Sequence, residues 1–294
     1  MIPEKSTRFG VLDVVLLALI AAAVAYMGWR IETRLDYEWH WERIGQFLLR
    51  HDTQEGWVPG LLTQGLLTTI RLSLWTMLFA TIIGTAMGLA RTSHSLFWRL
   101  TGKVYVGLVR NTPPLVLVFI FYFFLSDQLL MALNVDGLVR GAPDWAQGVI
   151  AFTAAPVNRF SAFLSGLMTL AVYEGAYITE HVRSGIQSVE RGQYEAAYAL
   201  GLSRWQRMRR VILPQALSRI VPPLTGQFIS TIKDSAIVSI ISIQELTFQG
   251  MELMAATYMT FETWITVTVL YLLLTSACSV LAAKVERRAR RGLA

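Results

Sequence analysis

Residues 184–214 read SGIQSVERGQYEAAYALGLSRWQRMRRVILP, and this stretch lies between two apolar segments yet has the composition of ordered helix. Good helix formers fill 193–200, among them Glu195, Ala196, Ala197, Ala199 and Leu200. Gly201 follows at the point where a helix closes in a left-handed cap. Ser203 and Gln206 have the spacing of a capping box, which starts a second helix. The stretch therefore predicts a short helix, a sharp glycine turn and a new helix. Tyr194 and Tyr198 are four residues apart and share a helix face. The residues alone leave two readings open. Such a helix is a docking element for another protein, whose close approach its small side chains permit, or an interfacial helix lying on lipid.

Outward from this stretch the chain is strongly apolar. Charged residues make up 16% of it, against roughly 25% in ordinary soluble domains, so polar surface is scarce. The apolar residues are gathered in runs at 11–29, 65–90, 114–133, 161–178 and 264–283. Each approaches the roughly 20 residues that a helix needs to cross a bilayer core, and a helix satisfies its own backbone in lipid. Lys5 and Arg8 precede the first run and Ala23-Val24-Ala25 imitates a cleavage site, but the run exceeds the length of a signal-peptide core, so it reads as a retained anchor helix. A pI near 9.6 raises the question of nucleic acid. The basic residues instead cluster beside apolar runs, as the positive-inside rule requires, and no nucleic-acid partner is expected. The single Cys278 allows no internal disulfide.

These charges set a topology. Arg91, Arg99, Lys103 and Arg110 follow the second run; Arg183, Arg191, Arg204, Arg207, Arg209 and Arg210 follow the fourth; Lys284, Arg287, Arg288, Arg290 and Arg291 close the chain. All three segments should be cytoplasmic. From 235 to 283 there is no Lys or Arg, while Glu245, Glu252 and Glu262 are present, so an external loop is expected there. A further span must then cross at 211–232, where Pro214, Pro222 and Pro223 predict an interrupted or bent helix. The expectation is an all-α membrane protein of six transmembrane helices with both ends cytoplasmic. Residues 31–60 lie outside, with Trp39, Trp41 and Trp57 suited to an interfacial belt, and the external loop 134–158 with Trp145 is partly helical.

With the topology in place, 184–214 resembles the EAA loop of ATP-binding-cassette (ABC) importer permeases. That pattern is Glu-Ala-Ala, three residues, Gly, nine residues and Ile-x-Leu-Pro. Here Glu195-Ala196-Ala197, Gly201 and Val211-Ile212-Leu213-Pro214 match it throughout, with Val211 in place of the Ile. Gly185-Ile186-Gln187-Ser188-Val189, Arg191-Gly192-Gln193, Leu213-Pro214-Gln215-Ala216, Ile232-Lys233-Asp234-Ser235 and Arg110-Asn111-Thr112-Pro113-Pro114 are similar to the polar amino-acid branch, the histidine and glutamine permeases. The similarity covers about residues 60–284. It implies a five-span type I importer core with one added N-terminal span. The domains are then an anchor and external segment at 1–60, the core at 61–284 and a basic tail at 285–294.

The resemblance also implies partners. Two permease subunits, identical or homologous, form the path; two cytoplasmic ATPase subunits bind Mg-ATP and receive the coupling helix; an external substrate-binding protein delivers a polar amino acid. The site would be a bacterial inner membrane. The chain itself would be no enzyme, and it carries no Gly-rich Lys-Ser/Thr phosphate loop. Gln193, Tyr194, Glu195, Ala196, Ala197, Tyr198 and Gly201 would make the ATPase coupling element, with Glu195 the foremost contact; an acid near a helix N-terminus is also favoured by the macrodipole.

Ionisable groups inside spans are costly and mark a path or a structural pair. Glu174, Glu180, Lys233 and Asp234 are the candidates here. Glu180, Arg183, Lys233 and Asp234 resemble recurrent positions of the branch, as ion pairs or gating groups. Glu174 departs from it, since a small or hydroxyl residue is expected there; it is the candidate for lining the translocation path, recognising a substrate ammonium or repelling carboxylates, with a charge satisfied by a neighbouring helix as the alternative. Gly84 and Gly88 form a GxxxG that permits close helix packing, within the molecule or between subunits. Tyr122, Phe123 and Phe124 read as core or lipid-facing aromatics. His40, His51, His94 and His181 have no metal-ligand spacing with one another. Three rivals remain: a gradient-driven secondary transporter, which leaves the EAA loop unexplained; a membrane enzyme, which lacks a metal set or a partnered nucleophile; and ABC uptake of another small solute such as an opine.

Overall fold

The structure is a computed structural model that describes residues 10–34, 37–54 and 56–291. Lys5 and Arg8, and 292–294 of the basic tail, lie outside the described residues. The chain divides into two compact units, Met1–Trp41 and Glu42–Ala294. In the first, α1 (Val11–Arg34) is an apolar helix whose described side chains are exposed. A helix of 24 residues is about 36 Å long, enough to cross a bilayer core of roughly 30 Å.

The second unit begins with α2 (Trp41–Leu48) and a hairpin of β1 (Leu49–Asp52) and β2 (Gly56–Pro59), paired antiparallel with Leu49 opposite Pro59 and His51 opposite Trp57. The hairpin was not legible in the sequence. Its two ends are clamped together: Gly60 N–H and Thr63 Oγ1–H both donate to the Leu48 carbonyl, at 2.8 and 2.7 Å. Then come α3 (Leu61–Arg91), α4 (Leu96–Asn111), α5 (Pro114–Ile120), a π-helical turn at Phe121–Ser126 and α6 (Asp127–Ala132). The stretch 134–158 is largely helical, as expected, with α7 (Val135–Arg140) and α8 (Asp144–Thr153). The remaining elements are α9 (Phe160–Gln187), α10 (Arg191–Ala199), α11 (Arg204–Arg207), a second π-helical turn at Met208–Ile212, α12 (Leu213–Asp234), a 3-10 turn at Ser235–Ile241, α13 (Leu246–Thr257) and α14 (Thr260–Arg291).

Among the described residues, four segments are long and apolar enough to cross a membrane: Val11–Arg30, Leu61–Arg91, Pro114–Ala132 and Thr260–Lys284. Helices α9 and α12 have the length, at 28 and 22 residues, but too little hydropathy. One further reading changes. The prolines do not interrupt α12, which runs through Pro222 and Pro223 while packed between α9 and α14; the local irregularity is the π turn just before Pro214. The stretch after Asp234, where an external loop is expected, also holds a helix that the sequence did not announce, α13. Glu245 caps α13 from a fully buried position. Its carboxylate accepts the Thr247 and Phe248 N–H groups at 2.9 and 2.7 Å and the Tyr271 hydroxyl at 2.8 Å, so burial leaves it well satisfied.

The core is built around α9. Leu72 of α3 and Val118 of α5 pack with Phe163, Leu167 and Leu170 at one end of α9, and Ala80 of α3 with Ile178, Val182, Ile186 and the α12 residues Ala216 and Ile220 at the other. The two glycines of the GxxxG motif face α9. A Cβ on Gly84 would stand 2.5 Å from Ile178 Cγ2 and 3.0 Å from the Gly175 carbonyl; one on Gly88 would stand 2.6 Å from Val182. The motif is thus an intramolecular seam. Overpacking a tight contact typically costs about 1–3 kcal/mol. Gly84→Leu should lower the melting temperature of the detergent-solubilised chain by several degrees. Gly107→Leu, where nothing lies within 4 Å, should leave it near the native value. Equal melting of both variants would show that the seam is dispensable.

Candidate functional site

The stretch 184–214 forms the helix, turn and helix expected. Helix α10 ends in a Schellman arrangement: Gly201 N–H donates to the Tyr198 carbonyl at 2.9 Å and Leu202 N–H to the Ala197 carbonyl at 3.2 Å. Gly201 has φ +73°, in the left-handed region. Ser203 and Gln206 form the reciprocal capping box of α11, with Ser203 N–H donating to Gln206 Oε1 at 2.9 Å and Gln206 N–H to Ser203 Oγ at 3.3 Å. From there α11, the π turn and α12 continue to Asp234.

One side of α10 is fastened to its neighbours. The Tyr194 hydroxyl donates to the Ile186 carbonyl of α9 at 3.2 Å; burial pushes the phenol up, so it stays a donor. Gln215 of α12 donates to Gln193 Oε1 at 3.1 Å, Arg219 donates to the Ser188 carbonyl, and Ala197 is buried. The opposite side faces outward. Ala196 is exposed, Tyr198 and Leu200 are 70 and 78% exposed, and on α11 Trp205 is 68% exposed, with the Arg207 guanidinium 5.2 Å from the Tyr198 ring centroid. Tyr194 and Tyr198 therefore part company: the first belongs to the mount and the second to the free face. The macrodipole account of Glu195 also fails, because α10 starts at Arg191 and Glu195 lies beyond its first turn. Its exposed carboxylate pairs instead with Arg191 at 2.9 Å.

A polar cluster joins α9 to α12. Glu174 is fully buried on α9, and Gln227 of α12 donates to its Oε2 at 2.5 Å. The other amide atom of Gln227, Oε1, lies 3.2 Å from His181 Nε2. Residues 174 and 181 are seven apart and share a helix face, so one amide spans two turns of α9. Glu174 Oε1 is buried without a hydrogen-bond partner among the described residues, and the Asp234 carboxyl lies close enough to interact with that of Glu174. The other two candidates stand apart. Glu180 is held by Arg91 of α3 and by Arg183, the latter at 2.8 Å. Lys233 is exposed and forms no ion pair among the described residues. Gln227 and His181 escaped sequence reasoning as site residues. The heptad spacing of Glu174 and His181 was the available signal, but the partner from α12 is 53 residues from Glu174.

Comparison with known proteins gives this geometry a family. Residues 80–291 match the family described as binding-protein-dependent transport system inner membrane component. The glutamine transport system permease protein GlnP of Escherichia coli (strain K12) is 34% identical over 228 residues, covering 78% of this chain and 92% of that protein. The glutamate/aspartate import permease protein GltJ of the same strain is 30% identical over 260 residues, covering 87% and 97%. A chain in the crystal structure of an amino acid ABC transporter with histidines superimposes with TM-score 0.62 at 32% identity, covering 78% of this chain and 94% of that one. The chain belongs to the family of binding-protein-dependent transport system inner membrane components, and the resemblance carried by Glu195-Ala196-Ala197 and Gly201 is borne out.

Only glycine adopts φ +73° without strain, and other residues pay roughly 1–2 kcal/mol. Gly201→Val should therefore open the turn about 5- to 30-fold more often. Limited trypsin digestion at Arg204 and Arg207 checks this, and an unchanged cleavage rate would mean that the turn does not depend on the glycine.

Proposed function

We propose that this chain is the permease subunit of an ABC importer for a polar amino acid in a bacterial inner membrane, and that α10 is the element through which separate ATPase subunits drive it. The observation that carries this reading is the division of α10 into a fastened side and a free side. Tyr198 and Leu200 are large apolar groups held out of the core at the end of a helix that Tyr194, Gln193 and Ala197 tie to α9 and α12, and Trp205 of α11 is exposed as well. A partner pressing on such a helix moves both long helices together. Glu195 and Ala196, exposed on the free side, belong with Tyr198 to the proposed contact; Gly201 supplies the turn.

In this reading the chain crosses six times with both ends cytoplasmic. Residues 1–60 are an anchor and external segment, 61–284 the importer core and 285–294 a basic tail. The positive charge gathered near α10, at Arg204, Arg207, Arg209 and Arg210, supports the orientation. Two ATPase subunits bind Mg-ATP, a second permease subunit completes the path, and an external binding protein supplies the solute. Glu174 lines the path: its buried Oε1 accepts no hydrogen bond among the described residues, and a substrate ammonium reaching it would supply the donor. Asp234 shares that place, while Glu180 and Lys233 flank it as a structural ion pair and an outward charge.

Two measurements test these assignments. In the purified complex, Glu195→Arg should strip or uncouple the ATPase, with association weakened about 30-fold, as for loss of a strong interface contact of roughly 2 kcal/mol. The change also sets two arginines four apart on α10, a cost of only about 0.2–0.5 kcal/mol, too small to unfold it. Full retention of ATPase and coupled hydrolysis would remove Glu195 from the contact; absence of any ATPase with the native chain would favour a gradient-driven transporter. Glu174→Gln should raise the KM for the transported amino acid about tenfold or more, the equivalent of 1.4 kcal/mol. Uptake in proteoliposomes across basic, neutral and acidic amino acids gives the readout, and an unchanged KM and preference would take Glu174 out of the path.

A further inference from the structure

Away from the Glu174 cluster, four elements line a half-open hollow of about 260 Å3. Tyr122 comes from the π turn in the middle of the α5–α6 segment, where a π-helical turn widens the helix and often marks a functional place. Asn134, in the left-handed conformation at φ +47°, turns the chain from α6 into α7 and brings Asp136 to the cavity. Ser161 and Ser165, one turn apart on α9, form the far wall.

The chemistry of the wall is one-sided. Asp136 is its one charged group, and Ser161 Oγ donates to Asp136 Oδ1 at 2.6 Å, which fixes the carboxylate and leaves Oδ2 for another donor. Ser165 is 97% buried, yet its hydroxyl makes no hydrogen bond among the described residues although it lines the cavity. The Tyr122 hydroxyl is likewise without a hydrogen-bond partner among them. A hollow with one fixed carboxylate, idle hydroxyls and no cation is complementary to a small amine. Its volume lies just below that of drug-sized ligand sites, which run from roughly 300 Å3 upward, and so suits a smaller, amino-acid-sized solute.

We propose that this cavity binds the ammonium or guanidinium group of a small solute, with Asp136 as counter-charge and Ser165 and Tyr122 as hydrogen-bond partners. The proposal rests on the reading of the chain as an importer with 134–158 outside. In that reading the cavity opens at the external end of α9, ahead of Glu174 on the same helix. A basic or zwitterionic amino acid would meet Asp136 first and Glu174 second.

The complex reconstituted in vesicles offers a test that does not depend on uptake. In a Cys278→Ala background, Asn134→Cys or Ser165→Cys supplies a single thiol at the cavity wall. A membrane-impermeant cationic methanethiosulfonate added outside should modify either thiol at least tenfold faster than its anionic counterpart, and Asp136→Asn should bring the two rates together. Millimolar L-lysine or L-arginine should slow modification, and L-glutamate should not. Equal rates for the two reagents with Asp136 present, or protection by none of the solutes, would overturn the proposal. Protection found only with phosphatidylethanolamine vesicles, and not with phosphatidylglycerol vesicles, would assign the site to a lipid amine and overturn the solute reading. Asn134→Cys alone decides the matter if Ser165→Cys does not fold. Binding-protein-stimulated ATP hydrolysis in the same vesicles reports on the importer assignment separately, so the two can fail independently.

Discussion

The contact on which the rest of this structure depends is the seam between α3 and α9. Lipid tails are as apolar as leucine, so helices in a bilayer gain little by hiding apolar surface from one another and must associate through close packing. Gly84 and Gly88 supply it: with no Cβ, α3 approaches until the Gly175 carbonyl and the Ile178 and Val182 side chains fill the space that side chains would otherwise occupy. The same device recurs. Gly65 of α3 meets Leu246 and Gln249 of α13, Gly102 of α4 meets Arg91, and Gly185 of α9 meets Ile220 of α12. The Gly84, Gly88 and Gly185 contacts lie on α9, which is packed by α3, α4 and α12.

Enclosing α9 changes what it can carry. A helix facing lipid must be apolar throughout, whereas one packed among helices can hold polar groups if each finds a partner. Thr169 and Thr179 donate to carbonyls one turn back at 2.8 and 2.7 Å, Glu180 is held by arginines, and Glu174 has Gln227. This is why α9 and α12 fall short of the hydropathy of a span while α3 and α14 reach it. The two helices least suited to lipid are the two that meet at the polar cluster and the two to which α10 is fastened.

That division also explains what could be read in advance. The lipid-facing runs and the cap chemistry of 201–206 depend on neighbours in sequence, so α1, α3, α14, the Gly201 turn and the Ser203 box were legible. Features decided by distant neighbours were not. The strands at 49–59 are four residues each and lack a turn signature such as Asn-Gly, so nothing local announces a hairpin. Helix α13 starts at a glutamate, not a preferred cap residue, and that glutamate is stabilised by Tyr271, 26 residues away. Pro222 and Pro223 predicted a break that packing between α9 and α14 overrides. Glu174 was conspicuous as an acid in a span, but its partner Gln227 was one polar residue among many in a weakly apolar stretch.

The bonds that hold α10 in place follow a chemical logic of their own. Tyr194 and Arg219 donate to backbone carbonyls, and Gln193 accepts from a neutral amide. None of these contacts draws on the carboxylate of Glu195 or on the aromatic face of Tyr198. The ion pair of Glu195 is with Arg191 on its own helix, at the surface, where such a pair contributes little, about 0–1 kcal/mol, and can be exchanged for another partner at small cost. A helix whose mount consists of backbone and amide contacts, and whose charges and large apolar groups stay at the surface, can bind and release a neighbour without disturbing its own attachment. The coupling role proposed for α10 would require this in every cycle, because the force passed to α9 and α12 would be only as great as the mount can bear.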